Sequence, residues 1–331
     1  MRSPTLRELP PPPPGKTGWP WTEATPSAPE RMPDGRCWPR ISIVTPSYNQ
    51  GQFIEETIRT VLLQGYPDLE YIVIDGGSSD SSVEVIRRYQ DWLTYWVSEK
   101  DDGQTHAINK GFAKASGDIF AYLNSDDLFT VQALQVVAQE YQKNKSDNLI
   151  MTFAGVEFGN YGDEKIVYTE KAPRITTWLS QSSSLFQQST FWSSSLHRAV
   201  KGFDESLHFC FDKDFFLQCI FKEGIFLSKP EYITSKFRFH PDSKTSTIYD
   251  ICLAENNLIF EKYRKIPHYS SLLEIELEAQ AVQSRIISSM NLDSRFLAFK
   301  SMLLIPFRHS LRSNWRFYFG ALRRVIFKAY Q

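Results

Sequence analysis

Two adjacent carboxylates, Asp126 and Asp127, close a stretch reading IFAYLNSDD, and residues of this type in this place could do chemistry. Carboxylates are hard oxygen ligands suited to Mg²⁺ or Mn²⁺, ions usually shared with substrate phosphates. The apolar run Ile119 to Leu123 ahead of them reads as a buried strand. Open α/β sheets bind ligands outside the C-terminal ends of such strands. Asp and Asn are also favoured helix caps, and Val131 to Tyr141 has a helical pattern. On this stretch alone a capped turn and a ligand site are level.

The elements upstream repeat one plan. A strand at Ile41 to Thr45 runs into PSYNQGQ, and Phe53 to Leu63 carries apolar residues at helical spacing. A strand at Glu70 to Asp75 ends in GGSSDSS and precedes a helix at Val83 to Tyr89. A third at Trp92 to Ser98 ends in EKDDGQ and precedes a helix at His106 to Ala115. Strand–turn–helix units in series predict a mainly parallel sheet with right-handed crossovers, so that all four turns gather on one edge. Each turn is short and rich in Gly, Ser, Asn or Asp, which lets backbone N–H groups approach a ligand closely. Asp75 taken singly is a turn former; four such turns around an acidic pair favour a ligand. Neither GxGxxG after the first strand nor GxxxxGK[ST] occurs, which excludes the dinucleotide and P-loop fingerprints.

The second half carries a sparser set. Ile150 to Phe158 is strand-like, and Tyr161 to Ile175 is a polar excursion. In SLFQQSTFWSSSL, Phe191 reads as core, while Gln188 and Trp192 are divided between core and site. Phe211, Phe215, Phe216 and Cys219 fit one helix with Asp212 at its start, where the helix dipole favours a carboxylate. A solvated cap explains Asp212 equally well. Helical patterns return at Ile251 to Tyr263 and at Leu272 to Met290.

Composition sets the bounds. The net charge of −1 gives no bulk attraction to nucleic acid or lipid. Cys37, Cys210, Cys219 and Cys252 lack CxxC or CxxH spacing, which argues against zinc and a disulfide framework. The start has no apolar signal region and no run of eighteen apolar residues occurs, so the expected location is cytoplasmic. Residues 1–40, with prolines from Pro10 to Pro14, read as a semi-rigid arm anchored by Trp19, Trp21 and Trp38. From Ser294 to Gln331 there are eight Lys or Arg and no Asp or Glu. Such a segment either lies on an anionic membrane surface as a peripheral contact or packs as a helical tail.

TPSYNQGQFIEETIRTVLLQ, YIVIDGGSSDSS and WVSEKDDGQTHAINKGFAKASGDIFAYLNSDD together resemble the family-2 glycosyltransferases of the GT-A fold, from Ile41 to about Thr247. The resemblance implies an α/β fold, a Rossmann-like mainly parallel mixed sheet flanked by helices with a C-terminal helical tail. It implies an arm at 1–40, a glycosyltransferase domain at 41–248 (nucleotide-sugar half 41–127, acceptor half 128–248) and a basic tail at 249–331. Thr45, Pro46, Tyr48 and Asp75 then match nucleoside-binding positions, and Asp102 and Lys110 the segment closing over base and phosphates. Asp126 would meet ribose hydroxyls and Asp127 a divalent metal, Mn²⁺ or Mg²⁺, completed by His240. Arg238 and Lys244 could add phosphate contacts. Gln188 and Trp192 would face sugar or acceptor. Asp212 matches the catalytic base of inverting enzymes, with Asp214 as runner-up, and His106 is a structural or rim residue. The chain departs from the family at Gly76 and Asn124, where acids are usual, and at Gln218, where Arg is common; it also lacks QxxRW.

The expectation is a metal-dependent, inverting glycosyltransferase moving sugar from a nucleotide-diphosphate sugar, by family habit a UDP-sugar. Its acceptor would be a glycan or lipid-linked saccharide, as in polysaccharide and cell-envelope biosynthesis, and nucleic acid is not a partner. A nucleotidyltransferase would need cations in the first turn, which TPSYNQGQ lacks. A silent binding protein of the same fold, docking through its arm or tail, is the rival from another class.

Overall fold

The computed structural model describes residues 3–159, 164–168, 186–222, 224–241, 243–244 and 249–263. The expected helix at 272–290, the basic segment and most of the excursion after Tyr161 lie outside the described residues. Of these, residues up to 252 belong to one compact unit and residues 253–263 to a second.

The first unit is built on one mixed sheet. Its strands are β1 (Ile41–Ser47), β2 (Leu69–Asp75), β3 (Tyr95–Ser98), β4 (Ile119–Tyr122), β5 (Leu128–Phe129), β6 (Leu149–Gly159), β7 (Lys165–Val167), β8 (Thr190–Ser193) and β9 (Ile225–Phe239). Among the described residues the order is β3-β2-β1-β4-β8-β6-β9-β5, with β7 beside β6. The ladder β3-β2-β1-β4 is parallel, as is β6 with β9. β8 lies antiparallel between β4 and β6, and β5 and β7 add antiparallel edges. The parallel β3-β2-β1-β4 ladder is what the strand–turn–helix series predicts, and the mixed sheet as a whole is what the family resemblance implies. β9 runs on through Phe239, so Arg238 belongs to a strand rather than to the loop after one.

The helices are α1 (Ile54–Leu62), α2 (Ser82–Tyr89), α3 (Gln104–Phe112), α4 (Ala133–Lys143), α5 (Ser194–Val200), α6 (Phe211–Phe221) and α7 (Tyr249–Tyr263). Ile54, Ile58, Val61 and Leu62 of α1 are buried against β1 and β2 residues such as Ile41, Ile43, Tyr71 and Val73. α3 lies close to β1 because residue 111 is Gly: a Cβ there would come within 2.4 Å of Val44 Cγ1. That close approach carries the start of α3 to the sheet's ligand edge.

Residues 3–40 pack on this unit, with Leu9, Met32 and Trp38 in the same core. The attachment centres on buried Arg59 of α1, whose guanidinium donates to the carbonyls of Pro10, Pro20 and Trp21 and to the Tyr89 hydroxyl. It also lies over the Trp21 ring. An isolated buried cation is expensive, so these acceptors are the condition for Arg59 being there. Trp19 Nε1 donates to the Phe129 carbonyl at 3.0 Å, tying the arm to the acidic segment.

Candidate active site

Parallel register brings the turns together. Ser47, Asp75 and Ser98, the last residues of β1, β2 and β3, stand side by side, and Leu123 N–H donates to the Val44 carbonyl beside them. Asp75 is fully buried. Its Oδ2 accepts from Gly77 N, Ser78 N and Ser98 Oγ, and its Oδ1 from Ser78 Oγ. These bonds make Asp75 the organiser of its own turn. Thr45 is buried likewise, 3.1 Å from the Tyr71 hydroxyl, and Pro46 is buried beside it. Tyr48 is the contrast: 63% exposed at the lip of the edge, a ring free to stack. The side chains of Ser47 and Gln50 were not readable as site residues; a buried hydroxyl and a buried amide oxygen there lack partners. Buried orphans at a sheet's ligand edge are groups a ligand would satisfy.

The departures from the family pattern at Gly76 and Asn124 have local partners. A Cβ at Gly76 would lie 2.9 Å from Asp101 Oδ2, so the carboxylate of Asp101 fills the space a side chain at 76 would take. Asn124 accepts from Gln104 Nε2 at 2.7 Å and donates to Asp127 Oδ2 at 3.2 Å. An Asp at 124 could not donate, and would add a charge beside a buried carboxylate.

The acidic pair divides, and not as expected. Asp127 is fully buried and accepts from Asn124, from Gln188 Nε2 at 3.0 Å and from Arg238 N at 3.0 Å. Burial, and then the charge of Asp126, push its carboxyl well above the ordinary range. Asp126 turns to the edge, its Oδ2 3.0 Å from His240 Nε2. The structure therefore brings Asp126, not Asp127, to His240, because amide donors hold Asp127 inside. Gln188 reaches this corner through its bond to Asp127. Trp192 does not: it is fully buried, with its ring 5.0 Å from Phe215 and 5.7 Å from Phe112, and belongs to the aromatic core as Phe191 does.

Asp212, half-buried in the first turn of α6, accepts from its neighbour's N–H, Lys213 N, at 2.6 Å. Burial pushes its carboxyl up to about 6, against the pull of Lys213 and Lys244. Tyr122 at the end of β4 links this residue to the acidic pair: burial first, then the charges of Asp212 and Asp127, hold its phenol well above its usual range. Asp214 is fully buried and accepts from Gln218, the residue standing where the family has Arg. Lys244 donates to the His208 carbonyl at 3.0 Å. Asp102 is exposed; its N–H donates to His106 Nδ1, which makes His106 a support for the start of α3. Lys110 pairs with Glu99. Glu56, which reads in sequence as an ordinary acid in a helix's first turn, reaches Arg238 at 2.9 Å.

The sheet's ligand edge thus carries a buried Asp127 and an Asp126 turned toward His240, and α6 opens on Asp212 with its carboxyl raised. The glycosyl transferase family 2 model matches residues 42–195. An uncharacterized glycosyltransferase of Mycobacterium tuberculosis is 30% identical over 186 residues, 54% of this chain and 68% of that protein. The chain belongs to glycosyl transferase family 2 and is a glycosyltransferase. Its fold is shared with S. aureus TarS 1–349 solved with UDP-GlcNAc (TM-score 0.59, 16% identity, 86% of this chain and 89% of that one). The chain spans 54% of a longer TarS structure. The mannosyltransferase PcManGT of Pyrobaculum calidifontis, solved with GDP-Man and Mn²⁺, also shares it (TM-score 0.54, 17% identity, 88% of this chain and 87% of that one).

The GT-A fold implies a divalent cation. Asp126 Oδ2 and His240 Nε2, 3.0 Å apart, fit adjacent ligands on one ion, because bonds of roughly 2.1 Å at right angles span about 3 Å. Among the described residues no group of three or more His, Cys, Asp or Glu could hold a metal, so these residues offer a pair of ligands only. No described helix is long and apolar enough to cross a membrane.

Proposed function

We propose that the chain transfers a sugar from a UDP-sugar to a hydroxyl of a saccharide or lipid-linked saccharide, with inversion at the anomeric carbon and Asp212 as base. One observation carries this reading: the half-buried carboxylate of Asp212, at the start of α6, is pushed up to about 6 by burial, and its charge and that of Asp127 are both felt at buried Tyr122. A base poised near neutral pH accepts a hydroxyl proton efficiently. The acceptor oxygen bonds to the anomeric carbon as the bond from that carbon to the diphosphate breaks, and Asp212 takes the hydroxyl proton. Tyr48 offers its exposed ring to the base, and Ser47 and Gln50 offer unpaired polar atoms. A divalent cation held by Asp126 and His240 would neutralise charge developing on the leaving diphosphate. Asp127, kept inside by Gln188 and Asn124, shapes the turn that presents Asp126. UDP-GlcNAc on TarS and GDP-Man with Mn²⁺ on PcManGT support a sugar nucleotide and a metal. The basic sequence of residues 294–331 would make a peripheral contact with an anionic membrane surface.

The test is release of nucleoside diphosphate from UDP-, GDP- and dTDP-sugars with Mn²⁺, Mg²⁺ or EDTA. Metal-dependent release from a UDP-sugar, lost in Asp126→Ala and in Asp212→Asn, is expected. Failure of every sugar nucleotide to bind would sink the reading and leave the silent binding protein.

A further inference from the structure

We propose that Arg238 is a positioning residue, a clasp that sets Asp126 toward His240, with Glu56 as its counter-ion; the role of that corner rests on the transferase reading above. Sequence alone suggests that Arg238 meets a phosphate. The structure gives its side chain other work. Nη2 lies 2.9 Å from Glu56 Oε2, and both side chains are largely buried. Nε donates to the Asp126 carbonyl at 3.0 Å, and the backbone N–H donates to Asp127 Oδ1 at 3.0 Å. The guanidinium carbon lies 5.0 Å from the Phe53 ring and 4.6 Å from the Phe158 ring. Phe53 in turn packs on His240, ring centres 4.7 Å apart.

One residue of β9 thus touches α1 through Glu56, β6 through Phe158, and both members of the acidic pair. Its contact with the Asp126 carbonyl fixes the peptide from which the Asp126 carboxylate projects. Phe53, under the same guanidinium, supports the imidazole opposite. Only Arg fits this post. Its planar fork directs Nε and Nη2 to separate acceptors while both faces stack, whereas Lys has one nitrogen and no flat face. The pairing with Glu56 also matters, because a cation already neutralised in a largely buried ion pair adds little charge to a diphosphate.

That last point separates the two roles experimentally. If Arg238 were a phosphate ligand restrained by Glu56, Glu56→Gln would release it and tighten nucleotide binding. If Arg238 is a clasp, Glu56→Gln loosens the corner. The experiment uses the full chain as wild type, Arg238→Lys and Glu56→Gln. It reads hydrogen exchange of the 123–129 amides, UDP affinity, and kcat and KM for the donor that turns over.

The clasp predicts that both variants exchange 123–129 about tenfold faster while β2 is unchanged, and that kcat falls about tenfold to a hundredfold with KM within about threefold. Unchanged exchange at 123–129 overturns the proposal. So does tighter UDP binding in Glu56→Gln, or a raised KM at constant kcat in Arg238→Lys. If no sugar nucleotide binds wild type, the transferase reading fails separately, and exchange alone still decides whether Arg238 holds the corner.

Discussion

Asp212 pits the fold against its reaction, and replacing it by Asn should strengthen one while stopping the other. Its carboxyl, ordinarily near 3.8, is pushed up to about 6 chiefly by burial. At about 1.4 kcal/mol per pH unit, ionising it inside the folded chain costs roughly 3 kcal/mol more than in the unfolded chain. The sign follows from proton binding. The folded state holds this proton more tightly, so the penalty is absent below 3.8, grows as pH rises toward about 6, and is complete above that. Asn removes the penalty and keeps an oxygen for Lys213 N–H. At pH 8 Asp212→Asn should gain up to ~3 kcal/mol, or roughly 5–10 °C in Tm, and near pH 4 almost nothing. Thermal melts of both proteins across this range, with donor turnover at each pH, are the assay. Wild-type activity should rise with pH through a midpoint near 6, and the variant should lose about a hundredfold to ten-thousandfold. A variant less stable than wild type at pH 8, or a difference independent of pH, would refute the desolvated carboxylate. Retained turnover would remove Asp212 as base.

Further outcomes follow from other parts of the structure. Tyr48→Ala removes a ring that is 63% exposed, so stability should hold while UDP affinity by calorimetry falls about tenfold, the scale of one lost base stack. Gly111→Ala should destabilise by about 1–3 kcal/mol in urea melts despite better helix propensity, because the new methyl meets Val44. Arg59→Met should lower stability by about 3 kcal/mol or more and expose residues 3–40 to limited proteolysis, since the Pro10, Pro20 and Trp21 carbonyls lose their donor.

Much of this was legible in sequence because it is local. Apolar runs of period two or continuous burial mark β1, β2, β4 and β6, helical spacing marks α1 and α4, and Gly, Ser and Asp mark the turns between them. Parallel register then follows from strand–helix alternation, and with it the gathering of Ser47, Asp75 and Ser98 at one edge. Asp212 stood out as an acid opening an apolar helix.

What sequence could not decide is which way a side chain turns when its partners come from far along the chain. Asp126 and Asp127 are neighbours, yet Gln188 and Arg238, 61 and 111 residues beyond Asp127, draw one inward and leave the other beside His240. Trp192 is divided between core and site in the sequence, and Phe112, Phe203 and Phe215 close around it in the fold. Glu56 looks like a helix-start acid until β9 sets Arg238 against it. The chain's local pattern determined the sheet and the edge where chemistry gathers; long-range packing, through burial and specific hydrogen bonds, decided which carboxylates face that edge.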